Sequence, residues 1–447
     1  MSSSQDEWES LFQWVESVVG GRIVWKERQP RWRPAWYFDV EVNGKSVPLY
    51  WRGGRVEAGA NTALLEREMR VIEVLERHGI PVAHPYGLCQ HPPGLLLERR
   101  PGRPNLATAE GEAERVAVLD HYVEVMARAH AIDIDEFEAI GLRRPPDAER
   151  SCLGELPAYE RLYRQNKRQP DPMIEFQIRW VRRNVPRDRS RVTFLLGDSG
   201  QFLFDKGRVT AVIDLEMAYL GDPAADLAGL FGRDLSEPLG DLQRAMLKYA
   251  EFSGSEVDPH AIDYHTVRFG LVNPLSMAHH CADPAPTVNY VQYLAWYVVY
   301  ARAPLEVLAR MVGAELAPPP LPEPAPSRRS PAYGLMVSAL DPKRAGDDAE
   351  RAYELDRLYR VAQYLDSCDR YGPALDSDDL DDVADILGHR PRNWREADEE
   401  LERFVLDAGP EHDAELVRYF HRRLLREEAL LRPALRELQN VRLQAVS

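Results

Sequence analysis

Residues 193–230, TFLLGDSGQFLFDKGRVTAVIDLEMAYLGDPAADLAGL, constrain what this chain can fold into more than any other segment. An apolar, strand-like run at 192–196 leads into a glycine-containing loop, Gly197-Asp198-Ser199-Gly200. A short apolar strand at 202–204, a turn at Asp205-Lys206-Gly207 and a second strand at 209–213 follow, and Asp214 stands at the end of the second strand. The turn folds the two strands back on each other, so Asp198 and Asp214, sixteen positions apart, are predicted to emerge on one edge. Phosphoryl transfer needs that arrangement: one carboxylate faces the attacking hydroxyl, and the other holds the magnesium ion that bridges the phosphates.

The segment resembles the catalytic core of the aminoglycoside phosphotransferase and choline kinase-like family, whose pattern is His-Gly-Asp-x-x-x-x-Asn, a hairpin, Ile-Asp-Trp-Glu, then Gly-Asp-Pro-x-x-Asp-Leu-Ala. The chain offers Leu196-Gly197-Asp198, Ile213-Asp214-Leu215-Glu216, and Gly221-Asp222-Pro223 with Asp226-Leu227-Ala228, in that order. Leu196 stands where the family has His, and a loop two residues shorter puts Gln201 where it has Asn. The resemblance implies an α+β, bilobal protein kinase-like fold, with a small β-rich N-lobe and a larger, mainly helical C-lobe. It also implies ATP and Mg2+ as cofactors and a small-molecule hydroxyl as acceptor. Asp198 would be the catalytic base, Asp214 and Gln201 metal ligands, and Asp222 and Asp226 structural supports of the loop.

The chain has 447 residues, 44% of them hydrophobic and 29% charged, enough for two or three domains. A net charge of −16, from 56 basic and 72 acidic residues, argues against binding to nucleic acid or to an anionic membrane. No apolar run is long enough to span a bilayer, and the polar N-terminus fits neither a signal nor a transit peptide. Cys89, Cys152, Cys281 and Cys368 are far apart and read as reduced thiols. The expected location is cytoplasmic.

Residues 1–103 form the first predicted region. Helical spacing over 7–19 ends at Gly20-Gly21, and strands are predicted at 22–25, 36–42 and 46–52, the last two joined by an Asn43-Gly44 turn. A helix at 62–77 and strands at 86–89 and 95–98 complete the element order of a kinase small lobe. A cation on the third strand, paired with a carboxylate on the helix, would hold the nucleotide phosphates, and Arg52 and Glu68 occupy those places. The alternative is a solvated strand-end Arg and a surface Glu. There is no glycine-rich phosphate loop; the basic, aromatic stretch 27–34 stands there instead, and its arginines are candidates for an anionic ligand. By the resemblance, the run 95–103 is the linker between lobes, and the adenine docks at Glu98 to Arg100.

Residues 104–316 form the second region, with helices predicted at 113–132, 176–185, 239–253, 261–282 and 288–311. His130 reads as a packed structural histidine, and the adjacent pair His279-His280 diverges too widely around a helix to bind zinc with Cys281. The aromatic stripe Tyr290, Tyr293, Trp296, Tyr297 and Tyr300 reads as core ahead of substrate pocket. A proline-rich linker, 317–331, precedes a C-terminal all-α module, 332–447, with helices expected at 349–365, 380–387, 394–408 and 413–444. The acidic run 376–382 lacks the Gly and terminal Glu of a calcium loop and reads as a solvated turn. The module is expected to dock on the large lobe, to form a homodimer contact or to meet a protein partner. Two functions fit the chain: an ATP-dependent phosphotransferase, or a pseudokinase that binds nucleotide or metabolite and acts as a scaffold through its C-terminal helices.

Overall fold

The computed structural model describes residues 2–29, 33–54, 62–286 and 288–446, without the side chains of residues 2–7. The chain divides into two units, Met1–Gly154 with Asp188–Pro259 and Ala445–Ser447, and Glu155–Arg187 with His260–Gln444.

The first unit opens with α1 (Ser2–Val19), which ends at Gly20 in the left-handed region (φ 69°). β1 (Arg22–Arg28), β2 (Ala35–Val42) and β3 (Lys45–Gly53) follow, then α2 (Thr62–Arg77), β4 (Pro85–Gln90) and β5 (Pro93–Glu98). The strands make one antiparallel sheet in the order β1-β2-β3-β5-β4. Asn43 (φ 51°) and Gly44 (φ 75°) turn β2 into β3, both in the conformation a two-residue hairpin turn requires. Side chains alternate along β3. Leu49 and Trp51 join Leu11, Phe12, Val15, Phe38, Val40 and Leu96 in a core beneath α1. Arg52 therefore points to the other face, where α2 brings Glu68. Each fully buried Leu or Phe in such a core is worth about 1.5–3 kcal/mol, so α1, legible from its apolar spacing, is part of the sheet's foundation.

The rest of this unit comprises α3 (Glu112–His130), α4 (Ile134–Glu138) and α5 (Ala148–Leu153) and, beyond α6 (Leu156–Asn166) and α7 (Pro172–Arg183) of the second unit, the segment that carries Asp198 and Asp214. There β6 (Thr193–Leu195), β7 (Phe202–Asp205), β8 (Arg208–Val212) and β9 (Tyr219–Gly221) lead to α8 (Ala224–Asp234) and α9 (Leu242–Ser253). β7 and β8 form the expected hairpin, while β6 pairs with β9, a three-residue strand that the sequence reading did not anticipate.

In the second unit, α10 (Pro259–Gly270) and α11 (Val272–Ala282) replace the single helix expected over 261–282. Pro274 has no N–H to give to Gly270, so the ladder breaks there. α12 (Tyr290–Val312), α13 (Ser330–Ala339) and α14 (Ala349–Leu387) follow, then α15 (Trp394–Asp407) and α16 (Asp413–Leu431). α14 is one helix of 39 residues that continues through Pro373, where two helices and an acidic turn were expected. The acidic run is helical because α16 supplies its counter-charges: Arg426 pairs with Asp379 (3.1 Å) and Asp382, and Arg422 with Asp382 (2.7 Å). α16 stops at Leu431, short of the predicted 444, with Pro433 in the 3-10 turn that follows. The proline-rich stretch is tied to α14, Ala325 donating its N–H to the Arg370 carbonyl (2.9 Å) and Ser327 Oγ donating to Asp369 (2.5 Å). In the aromatic stripe, Tyr293 is buried with Met277 and Val288 while Tyr290, Trp296 and Tyr297 pack against that cluster half-buried.

Asp171 caps α7, accepting from the Ile174 N–H (3.0 Å) and the Tyr297 hydroxyl (2.7 Å). Burial raises its carboxyl pKa to about 6, against the pull of those two donors. The folded state then holds this proton more firmly than the unfolded chain, whose carboxylate titrates near about 4. The group's contribution is thus favourable at low pH and is lost as pH rises through about 6. Asp171→Asn, which keeps the cap, should raise stability at pH 7 by roughly 1–2 kcal/mol and flatten the urea midpoint between pH 4 and 7. An unchanged midpoint profile would mean that Asp171 is ionised at no cost.

No helix among the described residues is long and apolar enough to cross a membrane. All four cysteines are free thiols.

Candidate active site

Two arginines, one buried and one half-buried, organise this site. Arg52, at the end of β3, forms an ion pair with Glu68 of α2 and donates from Nη1 to Asp214 Oδ1 at 2.8 Å. Its side chain is 9% exposed and that of Glu68 3%, so the pair is internal and the surface alternative falls away. Burial disfavours the Arg52 charge, but Glu68 and then Asp214 outweigh it and lift the guanidinium pKa above its usual value. Burial pushes Glu68 up, against the opposing pull of Arg52. Asp214 follows β8 in the left-handed region (φ 59°, ψ 52°), which turns the chain sharply into the 3-10 turn Leu215–Met217. Its neighbour Glu216 accepts from Arg33 (2.6 Å) and, through its carbonyl, from Arg67 of α2 (2.8 Å). Arg33 belongs to the basic stretch singled out above, and residues 30–32 of that stretch lie outside the described residues.

Arg233 of α8 is the second arginine. Its Nη2 donates to both carboxylate oxygens of Asp198 at 2.6 Å, and Gln201 Nε2 donates to Asp198 Oδ2 at 2.7 Å. Burial raises the Asp198 pKa, Arg233 opposes it, and Asp214 and Glu216 reinforce it. Ile213 donates its N–H to the Gln201 carbonyl (3.1 Å), so Asp198 and Asp214 flank the same end of the hairpin.

The loop that carries Asp198 is held from behind by α8 and α3. Asp226 accepts from the backbone N–H of Leu196 (2.7 Å) and of Gly197 (3.0 Å), and from His130 Nε2 (3.0 Å), while His130 Nδ1 meets the Tyr249 hydroxyl (2.7 Å). His130 is thus buried and structural, as expected, and specifically orients Asp226. Asp226 lies inside α8, whose N-cap residue is Pro223, so it braces the loop without capping the helix. Ser199 donates to the Asp226 carbonyl, and the Tyr122 hydroxyl accepts the Gly200 N–H at 2.6 Å. Two glycines make this packing possible. Gly197 (φ 86°) runs against the Met217 backbone, and Gly229 leaves room for the Ser199 side chain. Asp222 takes a bidentate pair from Arg189 (2.8 and 2.9 Å) and accepts from the Ala224 N–H (3.1 Å) at the start of α8.

Of the residues predicted from sequence, the fold thus links Arg52, Glu68 and Asp214 in one cluster and Asp198 and Gln201 in another, with Asp226 behind the latter. Glu98 and Arg100 form a separate pair (3.2 Å) at the end of β5, where Arg100 Nε also donates to the Thr210 carbonyl (3.2 Å). The backbone N–H groups of Glu98 and Arg99 go to the carbonyls of His84 (2.8 Å) and Pro48 (3.0 Å). Arg233 was not anticipated. It lies seven residues, about two helical turns, beyond Asp226, and so shares its face of α8. That spacing was the signal available.

Residues 54–268 match the model of the phosphotransferase enzyme family, spanning both clusters apart from Arg52 and Arg33. Curated relatives include acyl-CoA dehydrogenase family member 10 of Mus musculus, 29% identical over 177 residues, covering 37% of this chain and 16% of that protein. Acyl-CoA dehydrogenase family member 11 of Rattus norvegicus is 27% identical over 185 residues, covering 37% of this chain and 22% of that protein. The chain therefore spans less than a quarter of the length of these relatives. Among solved structures, a macrolide 2'-phosphotransferase from Brachybacterium faecium aligns with a TM-score of 0.46 at 18% identity, covering 62% of this chain and 94% of that one. An aminoglycoside phosphotransferase in ternary complex with ADP and hygromycin B aligns with a TM-score of 0.45 at 17% identity, covering 66% and 98%.

Proposed function

We propose that the protein is an ATP-dependent phosphotransferase that moves the γ-phosphoryl group to a hydroxyl of a small molecule. The observation that carries this reading is the pair of carboxylates, Asp198 and Asp214, that flank one end of the β7–β8 hairpin within the family-matched segment, Asp198 held by Arg233 and Asp214 by the buried Arg52. In this reading Asp198 orients the acceptor hydroxyl and takes its proton as the new O–P bond forms and the bond to the departing ADP oxygen breaks. Arg52, kept charged by Glu68, faces the nucleotide phosphates; its buried Nε has no hydrogen-bond partner, a donor that an anionic oxygen would satisfy. Asp214 and Gln201 would hold Mg2+. Their side-chain oxygens are the hard donors that this ion takes, and when bound it supplies charge neutralisation between the phosphates. Glu98 and Arg100 would flank the adenine, and Asp222 and Asp226 would keep the loop in shape.

The reading is tested by following ADP release with Mg2+ and ATP across a panel of hydroxylated metabolites and antibiotics, for wild type and Asp198→Asn. Turnover that falls at least about 10²-fold in the variant supports the base. A wild type that binds ATP, seen as a raised Tm, but turns over no acceptor would instead support the scaffold reading.

A further inference from the structure

We infer that Arg233 is a positioning residue for Asp198, one that replaces, from α8, the support that a longer catalytic loop would give. The inference rests on the phosphotransferase reading above. Only Ser199-Gly200-Gln201 separate Asp198 from β7, and Leu196, two residues before the base, has a side chain without hydrogen-bonding groups. The carboxylate nevertheless has a defined orientation. One guanidinium nitrogen sits 2.6 Å from both of its oxygens, and the Gln201 amide lies 2.7 Å from one of them. Arg233 is itself placed by the helix that carries Asp226. Asp226 fixes the start of the loop through two backbone N–H groups, and two turns later Arg233 fixes the side chain that the loop presents. One rigid helix thus sets both the backbone and the carboxylate of the base, which suits a reaction in which positioning supplies most of the rate. The side chain of Arg233 is 15% exposed and that of Asp198 21%, so the pair is shielded enough to hold its geometry and open enough to face a substrate.

Arg233→Ala should lower kcat about 10²-fold, the cost of a base misplaced by about an ångström, with little change in KM for ATP or acceptor. Arg233→Lys, which keeps the charge and loses the planar fork, should fall between the two. Methylguanidine added to Arg233→Ala should restore part of kcat, and should do nothing for Asp198→Asn. A role confined to stability would lower Tm without this rescue. Three outcomes overturn the inference while wild type remains active: kcat of Arg233→Ala within about twofold of wild type, a loss seen wholly as a raised acceptor KM, or no recovery with methylguanidine in a variant that folds. A wild type inert toward every acceptor removes the phosphotransferase reading, and this inference with it.

Discussion

Asp214→Asn should cost turnover about 10³-fold and leave the fold intact. The substitution is isosteric, and Asn tolerates the left-handed conformation that Asp214 adopts (φ 59°) at least as well as Asp does. Its amide oxygen can still accept the 2.8 Å hydrogen bond from Arg52 Nη1. The change therefore isolates the negative charge. If that charge holds the ion between the phosphates, its contribution is several kcal/mol, and about 4 kcal/mol corresponds to about 10³-fold in rate. Steady-state kinetics over a magnesium titration, with Tm recorded beside them, separate the possibilities. The expected pattern is a large fall in kcat/KM, a raised magnesium requirement and a Tm close to wild type. A variant that keeps a tenth or more of wild-type turnover would take Asp214 out of the metal site.

Glu68→Ala is expected to be the most destabilising single change in the site. It leaves the buried Arg52 guanidinium with Asp214 as its carboxylate partner, and Asp214 is the more exposed of the two, at 31% against 3%. Breaking a buried pair by removing one partner costs about 3 kcal/mol or more, which for a unit of this size lowers Tm by roughly 6–12 °C. Removing both charges is a different experiment. Arg52→Met with Glu68→Leu takes away the desolvation cost along with the attraction, so most of the stability should return. Turnover should not, because the cation facing the phosphates is gone. Thermal melts and kinetics of Arg52→Met, Glu68→Leu and the double variant give the coupling directly. Equal stability losses in Glu68→Ala and in the double variant would show that the pair is held by packing and not by charge.

Much of this architecture was legible in the chain because it depends on short-range pattern. The helical spacing of Leu11, Phe12 and Val15 and the Asn43-Gly44 turn predicted α1 and the β2–β3 hairpin. Period-two alternation put Trp51 in the core and Arg52 on the opposite face. The β7–β8 hairpin was legible for the same reason, since its strands, turn and terminal carboxylate follow one another without interruption. Where the reading of the acidic run failed, the deciding partner was remote. The acidic run on α14 looks like a solvated turn until Arg422 and Arg426, some forty residues later, neutralise it and let the helix continue.

The sequence by itself determined the order of the elements in residues 1–103, the β7–β8 hairpin and which carboxylates stand at it. Those follow from backbone preferences and apolar periodicity, which act between near neighbours. Beyond the Arg52–Glu68 pair, only the tertiary structure decided which cation holds which carboxylate. Arg52 reaches Asp214 across 162 residues, Arg233 reaches Asp198 across 35, and His130 reaches Asp226 across 96. An ion pair depends on distance in space and on the loss of water around it, and neither can be read from the spacing of residues along a chain.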